Sequence, residues 1–218
     1  MDWQRWHDDY DRPDSRLHRR LEAVRHRIRL ALDAAPAGPL RAISLCAGQG
    51  RDLLPVLAVH PRREDVTARL VELDPQNVAA AAEAARAAGL HGVEVVAGDA
   101  SLTDRYAGMV PADLVLVCGV FGNISVADIE RTVDHAAQFC AQGATLVWTR
   151  GRDTPDQFPL VCERLESRGF AREWISDADA GFGVGVHRFT GTPLPLDPGS
   201  RMFTFVGYDV LRAGTAGP

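Results

Sequence analysis

The amino-acid sequence predicts an α/β protein built on a doubly wound, mostly parallel sheet, and three observations support this prediction. From about residue 40 onward, strand-like and helix-like segments alternate, as they do in parallel sheets covered by helices on both faces. The last two strand-like segments follow each other without a helix, which predicts a C-terminal antiparallel hairpin. The length of 218 residues, with 46% hydrophobic and 24% charged residues, fits one globular domain.

An amphipathic helix is predicted before the sheet, ending near Pro36. Its apolar residues recur at helical spacing: Leu17, Leu21, Val24, Ile28 and Ala31. Most of the arginines between Arg16 and Arg29 fall off this apolar stripe. Such a charge run is typical of a solvated helix face, and a surface that binds an anionic partner is the alternative.

Seven strands are predicted in the sheet. They span Leu40 to Cys46, Thr67 to Glu72, Gly92 to Ala97, Leu114 to Cys118, Ala144 to Trp148, Phe182 to Phe189 and Met202 to Asp209. The fourth strand is continuously apolar, as expected of a strand covered on both faces, and is therefore placed centrally. The last two strands are joined by residues 190–200, whose prolines and glycines exclude a helical crossover.

Local capping signals predict where three of the helices begin. Asp74, followed by Pro75, is a favourable N-cap for the alanine-rich helix after the second strand. Ser125 caps the helix after the fourth strand. The helix after the fifth strand starts at Asp156, which places Pro159 within its first turn.

Composition excludes several functional classes. All 24 basic residues are arginines, and the lack of lysine excludes Schiff-base catalysis and a lysine-dependent phosphate loop. With 29 acidic residues the net charge is −5, so the chain lacks the basic footprint typical of nucleic-acid binders. The four cysteines show no CxxC spacing, which argues against a zinc site or a disulfide framework. No set of carboxylates after the strands indicates a magnesium site, so no metal is predicted.

The N-terminal residues 1–14 are polar and acidic, whereas a secretory signal needs an apolar stretch. No run of the chain approaches the roughly 20 apolar residues that a membrane-spanning helix requires. These two features predict a cytoplasmic protein without membrane contact.

A glycine turn follows the first strand and precedes a helix. It consists of Ala47, Gly48, Gln49 and Gly50. Such a turn lets the backbone approach a ligand closely and directs the amides of a helix N-terminus towards it, which suits an adenosine-containing cofactor. Leu53 stands where the dinucleotide fingerprint GxGxxG needs its third glycine, so a nicotinamide cofactor is disfavoured.

Acidic residues follow or end the second and third strands. Glu72 lies at about the distance from the glycine turn at which a carboxylate accepts hydrogen bonds from ribose hydroxyls. Asp74 competes for this role, but its position before Pro75 already explains it as an N-cap. Asp99 either contacts a ligand at the carboxyl edge of the sheet or caps a loop.

Four sequence motifs occur in order along the predicted sheet: SLCAGQGRD at 44–52, VELDP at 71–75, VVAGDA at 95–100 and DLVLVCGVFGNIS at 113–125. Together they resemble the class I S-adenosylmethionine-dependent methyltransferases, and the resemblance spans residues 40 to 210. It implies a Rossmann-like, seven-stranded sheet that ends in an antiparallel hairpin. It also implies S-adenosylmethionine as the cofactor and methyl transfer as the reaction.

The resemblance further implies a set of cofactor-binding residues. They are Cys46, Ala47, Gly48, Gln49, Gly50, Glu72, Leu73, Asp99, Ala100 and Gly119. In the family, the glycine turn surrounds the amino-acid part of the cofactor, the acid of the second strand holds the ribose, and the acid of the third strand meets the adenine. This chain departs from the pattern in two places, because Ser44 replaces the usual acid and Cys46 replaces the usual first glycine.

The acceptor side of the site is predicted from the N-terminal segment and the last strand region. Trp3, Trp6 and Tyr10 share one helical face and form either an aromatic lid or an ordinary packing surface. Imidazoles suit the removal of a proton from an acceptor, so His7 and His187 are catalytic candidates, and a structural role is the alternative for both. Tyr10 is the third catalytic candidate.

Two arginines follow the fifth strand. Arg150 and Arg152 are candidates for binding an anionic acceptor. Ion pairs with Asp153 and Asp156 are the alternative.

The sequence as a whole predicts a methyltransferase that acts on an oxygen, nitrogen or carbon atom of a small molecule. Methyl transfer depends mainly on alignment and exclusion of water, so it requires no conspicuous catalytic dyad. Residues 1–36 are predicted as an N-terminal helical extension and residues 37–218 as the cofactor-binding domain, in one compact unit. The alternatives are an RNA methyltransferase that uses the arginine-rich helix and a non-catalytic partner subunit that binds the cofactor.

Overall fold

The structure is a computed structural model that describes residue 10, residues 12–153 and residues 156–207. Its α-helices are α1 (Arg16–Ala34), α2 (Leu54–Val59), α3 (Pro75–Ala87), α4 (Val126–Phe139) and α5 (Phe158–Glu166). Its strands are β1 (Leu40–Leu45), β2 (Val66–Glu72), β3 (Val93–Ala97), β4 (Ala112–Val117), β5 (Cys140–Arg150), β6 (Phe170–Ile175) and β7 (Gly183–Phe189). The first five predicted strands are confirmed, with ends that differ by a few residues. Within the described ranges, no helix has the length and apolar character needed to cross a membrane.

All seven strands form one sheet in the order β3-β2-β1-β4-β5-β7-β6. Strands β1 to β5 are parallel, and β7 runs antiparallel between β5 and β6. Strand β4 lies between β1 and β5, which confirms its predicted central position. The carboxyl ends of the parallel strands therefore share one edge, and the direction of winding reverses between β1 and β4.

The predicted antiparallel end of the sheet is confirmed, but the predicted pair of strands is wrong. Phe182 to Phe189 does form a strand, yet its hairpin partner is β6, which precedes it. Residues 202–207 pair with no strand, and residues 208 and 209 lie outside the described part of the chain. Met202 and Phe203 are apolar because they are buried in the core, not because they alternate along a strand. Strand β6 escaped prediction because an edge strand keeps charged residues on its exposed side.

The capping residues act as predicted. Asp74 Oδ1 accepts a hydrogen bond from Gln76 N at the start of α3, and Ser125 Oγ accepts one from Asp128 N at the start of α4. Helix α5 begins two residues later than predicted, because Asp156 itself acts before the helix and accepts a hydrogen bond from the backbone N of residue 158.

Helices cover both faces of the sheet. One face carries α1, α2 and α3, and the other carries α4 and α5. Three residues of the predicted apolar stripe of α1, Leu21, Val24 and Ile28, are buried together with Leu32, whereas the stripe's ends Leu17 and Ala31 are partly buried. The helix contacts β5 and β7. The N-terminal helix is therefore part of the main core, and it brings its first turns to the carboxyl edge of the sheet.

Trp148 of β5 organises the core on the opposite face. Its ring packs against Phe158 at 4.5 Å between centroids and against Phe121 at 5.7 Å. Its Nε1 donates a hydrogen bond to His187 Nδ1 at 3.1 Å. A Cβ on Gly185 of the neighbouring strand would lie 2.5 Å from Trp148 Nε1, so the indole occupies the space that glycine leaves.

Candidate functional site

A cavity of about 1080 Å³ lies at the carboxyl edge of the parallel strands. The loops after β1 to β5 contribute to its lining, together with α1 and residues 201–205. Ligands bind here in doubly wound sheets, because the reversal of strand order leaves a crevice between neighbouring loops. The volume lies just above the roughly 300–1,000 Å³ of typical small-molecule sites, so the cavity has room for a cofactor and a second small molecule.

The glycine turn after β1 presents its backbone to this cavity. Ala47 N donates to Val71 O on β2, and Gly50 N donates to Ala47 O, which closes the turn. Gly48 has a φ of +55°, and a Cβ at this position would meet no atom within 4 Å. Open space therefore lies beside Gly48, which lines the cavity together with Gln49.

Backbone geometry and packing explain two further residues of this segment. Cys46 has a φ of +50°, a left-handed conformation that costs an L-residue roughly 1–2 kcal/mol and accounts for the usual glycine in the resembling family. Burial, with the charges of Glu72 and Asp99, raises the pKa of the Cys46 thiol to about 12. Gly50 lies behind the cavity wall, where a Cβ would be 2.7 Å from Leu54 Cδ1, so its glycine serves the packing of α2.

Glu72, the last residue of β2, is held by the backbone of two loops. Its Oε2 accepts a hydrogen bond from Gly48 N at 2.8 Å, and its Oε1 accepts one from Asp74 N at 2.9 Å. The residue is only 9% exposed, and it lines the cavity. A carboxylate has about four lone-pair sites, so this side chain retains acceptor capacity for two hydroxyl groups of a ligand.

Asp99, which follows β3, is engaged by the protein itself. Its Oδ1 accepts hydrogen bonds from the backbone N and Oγ of Ser101, and its Oδ2 accepts one from Arg201 Nη1 at 2.8 Å. Burial by itself raises the pKa of the Asp99 carboxyl, but the hydrogen bonds from Ser101 and Arg201 outweigh it and lower the pKa below its ordinary value. Asp99 therefore caps its loop while it also lines the cavity with Ala100 and the exposed Leu73.

The ends of β4 and β5 form another wall of the cavity. Gly119 N donates to Thr149 Oγ1 at 2.8 Å, and Gly119 O accepts a hydrogen bond from Asn123 Nδ2 at 2.7 Å. A Cβ on Gly119, whose φ is +77°, would meet no atom within 4 Å. Side chains thus hold this loop while open space remains beside its glycine.

Tyr10 lines the cavity next to the glycine turn. Its Oη accepts a hydrogen bond from Arg20 Nη2 at 3.1 Å, and the guanidinium of Arg51 lies 5.6 Å from its ring centroid. Burial raises the pKa of the Tyr10 phenol, and Arg20 opposes this shift only in part, so the phenol is protonated at neutral pH. The other candidates of this segment lie outside the described residues: Trp3, Trp6 and His7.

His187 does not belong to the cavity, which corrects its prediction as a proton acceptor in catalysis. The imidazole is completely buried, and its Nε2 lies 3.9 Å from Glu166 Oε1. Its Nδ1 accepts the hydrogen bond from Trp148, and burial lowers its pKa to about 4. The side chain packs into the core beside Trp148, so no acceptor in the cavity can reach it.

The burial of His187 predicts an acid-sensitive fold. Its pKa is about 4 in the folded protein and 6.5 in an ordinary environment, so the unfolded chain binds the proton first as the pH falls. This contribution to stability is fully present above pH 6.5, and we expect its loss to lower the free energy of unfolding by about 2–3 kcal/mol as the pH approaches 4. Urea denaturation at neutral and acidic pH, followed by circular dichroism, measures the effect.

The matched controls for this prediction replace one histidine at a time. His187→Gln should flatten the difference in stability between neutral and acidic pH, because it removes the titrating group. His26→Gln, on the exposed side of α1, should leave that difference unchanged. Identical pH profiles for wild type and His187→Gln would contradict the prediction.

Two arginines at the end of β5 and directly after it are held by neighbouring groups. Arg150 donates to the carbonyl O of Phe121 and lines the cavity. Arg152 lies 3.5 Å from Asp156 and stacks over the Phe158 ring at 4.4 Å. For Arg152, the structure therefore favours the local ion pair over the binding of an anionic acceptor.

Comparisons with known proteins place this fold. No protein-family model and no curated protein matches the chain. Among solved structures, it is similar to an O-methyltransferase family protein from Burkholderia thailandensis, with a TM-score of 0.59 and 18% identity over 76% of this chain and 56% of that one. It is also similar to a precorrin-6y C5,15-methyltransferase from Geobacter metallireducens GS-15, with a TM-score of 0.57 and 14% identity over 77% of this chain and 87% of that one. A third similar structure is a SAM-dependent methyltransferase from Aquifex aeolicus, with a TM-score of 0.53 and 14% identity over 73% of this chain and 88% of that one. This chain has the fold of S-adenosylmethionine-dependent methyltransferases.

This methyltransferase fold brings residues to the cavity that the sequence did not single out as site residues. They are Leu17, Arg20, Leu21 and Val24 of α1, Arg51 and Asp52 after the glycine turn, and Arg201, Phe203, Thr204 and Phe205 near the C-terminus. The apolar periodicity of α1 showed that the helix packs, but it could not show which edge of the sheet the helix reaches. The C-terminal residues were missed because they were assigned to a strand.

Proposed function

We propose that this protein binds S-adenosylmethionine in the cavity and transfers its methyl group to an oxygen, nitrogen or carbon atom of a small molecule. The observation that carries the proposal is the placement of Glu72. Two backbone amides orient its carboxylate beside the open space at Gly48, in the crevice where this fold accepts ligands.

The residues around the cavity fit this cofactor. The missing side chains of Gly48 and Gly119 leave space on two walls, and Glu72 retains acceptor sites for ribose hydroxyls. In this proposal Asp99 and Ala100 contact the adenine, with Leu73 at the exposed rim. S-adenosylmethionine supplies an activated methyl group when it is bound, while the chain orients the two reactants and excludes water.

The walls of the cavity favour a small acceptor. Helix α1 and residues 201–205 line the cavity beside the loops of the sheet, and they contribute apolar and aromatic side chains such as Leu17 and Phe205. Residues 1–36 in this proposal cover the acceptor end, and residues 37–218 form the cofactor domain. Tyr10 is the candidate that contacts the acceptor, by position rather than by proton removal, since its phenol is protonated.

The arginine-rich helix gives little support to the RNA alternative. Arg20 contacts Tyr10 in the cavity, and Arg25 Nε donates to the carbonyl O of Arg51 at 2.8 Å. Arg27 stacks over the ring of Trp174 at 3.6 Å. Three arginines of the helix are thus used within the protein, which reduces the charge available for counterion release on a nucleic acid.

Calorimetric titration of the wild type tests the cofactor. We expect S-adenosylmethionine and S-adenosylhomocysteine to bind and NADH not to bind, because Leu53 and the two-glycine turn do not suit a dinucleotide. Binding of NADH alone would contradict the proposal.

A second measurement tests the acceptor. The protein is incubated with S-adenosylmethionine labelled in its methyl group and with either a deproteinised metabolite extract or total RNA. We expect label in the metabolite fraction. Label in RNA alone would replace the small-molecule acceptor by the RNA alternative, and an absence of transfer with either fraction would favour the non-catalytic alternative.

A further inference from the structure

Side chains from distant parts of the chain meet at the end of the cavity beside α1. Arg20 donates to the hydroxyl of Tyr10, and the Cys118 thiol, which follows β4, lies near enough to Asp52 and Arg20 for both charges to act on it. Burial is the main cause of the raised pKa of Cys118, while Asp52 adds to this shift and Arg20 opposes it. The guanidinium of Arg20 and the carboxylate of Asp52 therefore both line the cavity near this thiol.

Neither of these two groups forms an ion pair within the described part of the chain, and the charge of Arg25 only partly opposes the rise that burial causes in the pKa of the Asp52 carboxyl. Asp52 is 8% exposed and lines the cavity, and its Oδ1 accepts a hydrogen bond from the backbone N of Leu53. Between residues 12 and 153 and between 156 and 207, no cation forms an ion pair with Asp52, and no carboxylate pairs with the half-buried Arg20. Other arginines of the cavity do have such partners, since Arg201 pairs with Asp99.

An arginine and an aspartate that each lack an ion-pair partner among the described residues, and that both line the cavity near Cys118, suit a zwitterion. A buried charge without a counter-charge is costly, and a ligand that carries an ammonium and a carboxylate supplies both counter-charges at once. An α-amino acid group has this pattern. The glycine turn joins this corner to Glu72, because Gly48 donates to that carboxylate and Asp52 follows four residues later in the chain.

We propose that Arg20 binds the α-carboxylate and Asp52 binds the α-ammonium of the amino-acid part of S-adenosylmethionine. This inference rests on the proposed function and assigns two residues that the family resemblance does not supply. The resemblance expects an acid at position 44, where this chain has Ser44, buried and with its Oγ bonded to no described group. In this proposal the chain supplies the charges instead from α1 and from the second residue after the glycine turn.

Three nucleosides separate the two contacts. S-adenosylhomocysteine carries both charges, its decarboxylated analogue carries the ammonium only, and 5′-methylthioadenosine carries neither. Each is titrated calorimetrically into wild type, Arg20→Gln and Asp52→Asn. Asp52→Asn keeps the size of the side chain and removes its charge, and Arg20→Gln removes the charge while keeping a shorter polar side chain that can donate a hydrogen bond. Arg19→Gln is the matched control, because Arg19 is exposed on the same helix.

The expected result is a different pattern for each variant. Arg20→Gln should lower the affinity for S-adenosylhomocysteine by about 10- to 100-fold and leave the affinities for the other two nucleosides unchanged. Asp52→Asn should lower the affinities for S-adenosylhomocysteine and its decarboxylated analogue by a similar factor and leave the affinity for 5′-methylthioadenosine unchanged. Arg20→Lys should restore part of the affinity for S-adenosylhomocysteine, and Arg19→Gln should match the wild type.

Other patterns overturn the assignment. Unchanged affinity for S-adenosylhomocysteine in both variants would remove the two residues from the cofactor site. An equal loss of affinity for all three nucleosides would assign Arg20 and Asp52 a structural role. Binding of 5′-methylthioadenosine shows whether each variant has folded. A wild type that binds none of the three would instead overturn the proposed function, and the inference with it.

Discussion

Replacing Glu72 by glutamine is expected to lower the affinity for S-adenosylmethionine and S-adenosylhomocysteine by about 100-fold. The carboxylate accepts hydrogen bonds from the backbone of Gly48 at 2.8 Å and of Asp74 at 2.9 Å. A glutamine has one acceptor oxygen, so its NH2 group would face one of these N–H donors. The charged acceptor for the ribose hydroxyls is lost in the same step.

The loss is large because water has little access to this residue. Glu72 is 9% exposed, so a backbone amide released by the substitution stays without a partner. Calorimetric titration of both sulfur nucleosides measures the effect. Glu83→Gln is the matched control, since Glu83 is exposed on α3 and should leave the affinity unchanged. Equal affinities for wild type and Glu72→Gln would remove Glu72 from the cofactor site.

Replacing Trp148 by alanine is expected to reduce the free energy of unfolding by about 3–5 kcal/mol. The indole is fully buried and fills the space between Phe158, Phe121 and the backbone of Gly185. Its removal leaves a cavity in the core. It also takes away the N–H that His187 Nδ1 accepts, and this buried nitrogen then has no partner.

Urea denaturation followed by circular dichroism compares this variant with a second tryptophan. Trp174→Ala is the matched control, because Trp174 lies on the edge strand β6, half-buried beneath the guanidinium of Arg27. We expect that variant to lose less than about 2 kcal/mol, since solvent already reaches its ring. A similar loss in both variants would contradict the central role assigned to Trp148.

The parts of the fold that follow from local sequence were predicted correctly. Asp74 before Pro75 identifies the start of a helix, because both act through the backbone of the next turn. The glycine turn is also predictable from the local sequence, because glycine readily adopts the positive φ angles that such a turn requires. The apolar run of β4 identifies a central strand, because only a strand covered on both faces tolerates it.

Other features depend on which distant segments meet. The segment from Met202 to Gly207 has the composition of a strand, yet its backbone bonds go to Ser101 and Asn123 instead of to β7. The short sequence of β6 shows little apolar alternation, because one of its sides is exposed at the edge of the sheet. Local propensity cannot choose between such pairings, since the choice is made by the core that they bury together.

The alternation of strands and helices, the glycine turn and the position of Glu72 at the end of its strand all follow from the amino-acid sequence alone. These features are set within a few residues by dihedral preferences, caps and periodicity. The burial of His187 in the core and the placement of Arg20 and Asp52 in the cavity wall near Cys118 follow only from the tertiary structure. Burial and the pairing of charges depend on residues far apart in the chain, and packing alone brings those residues together.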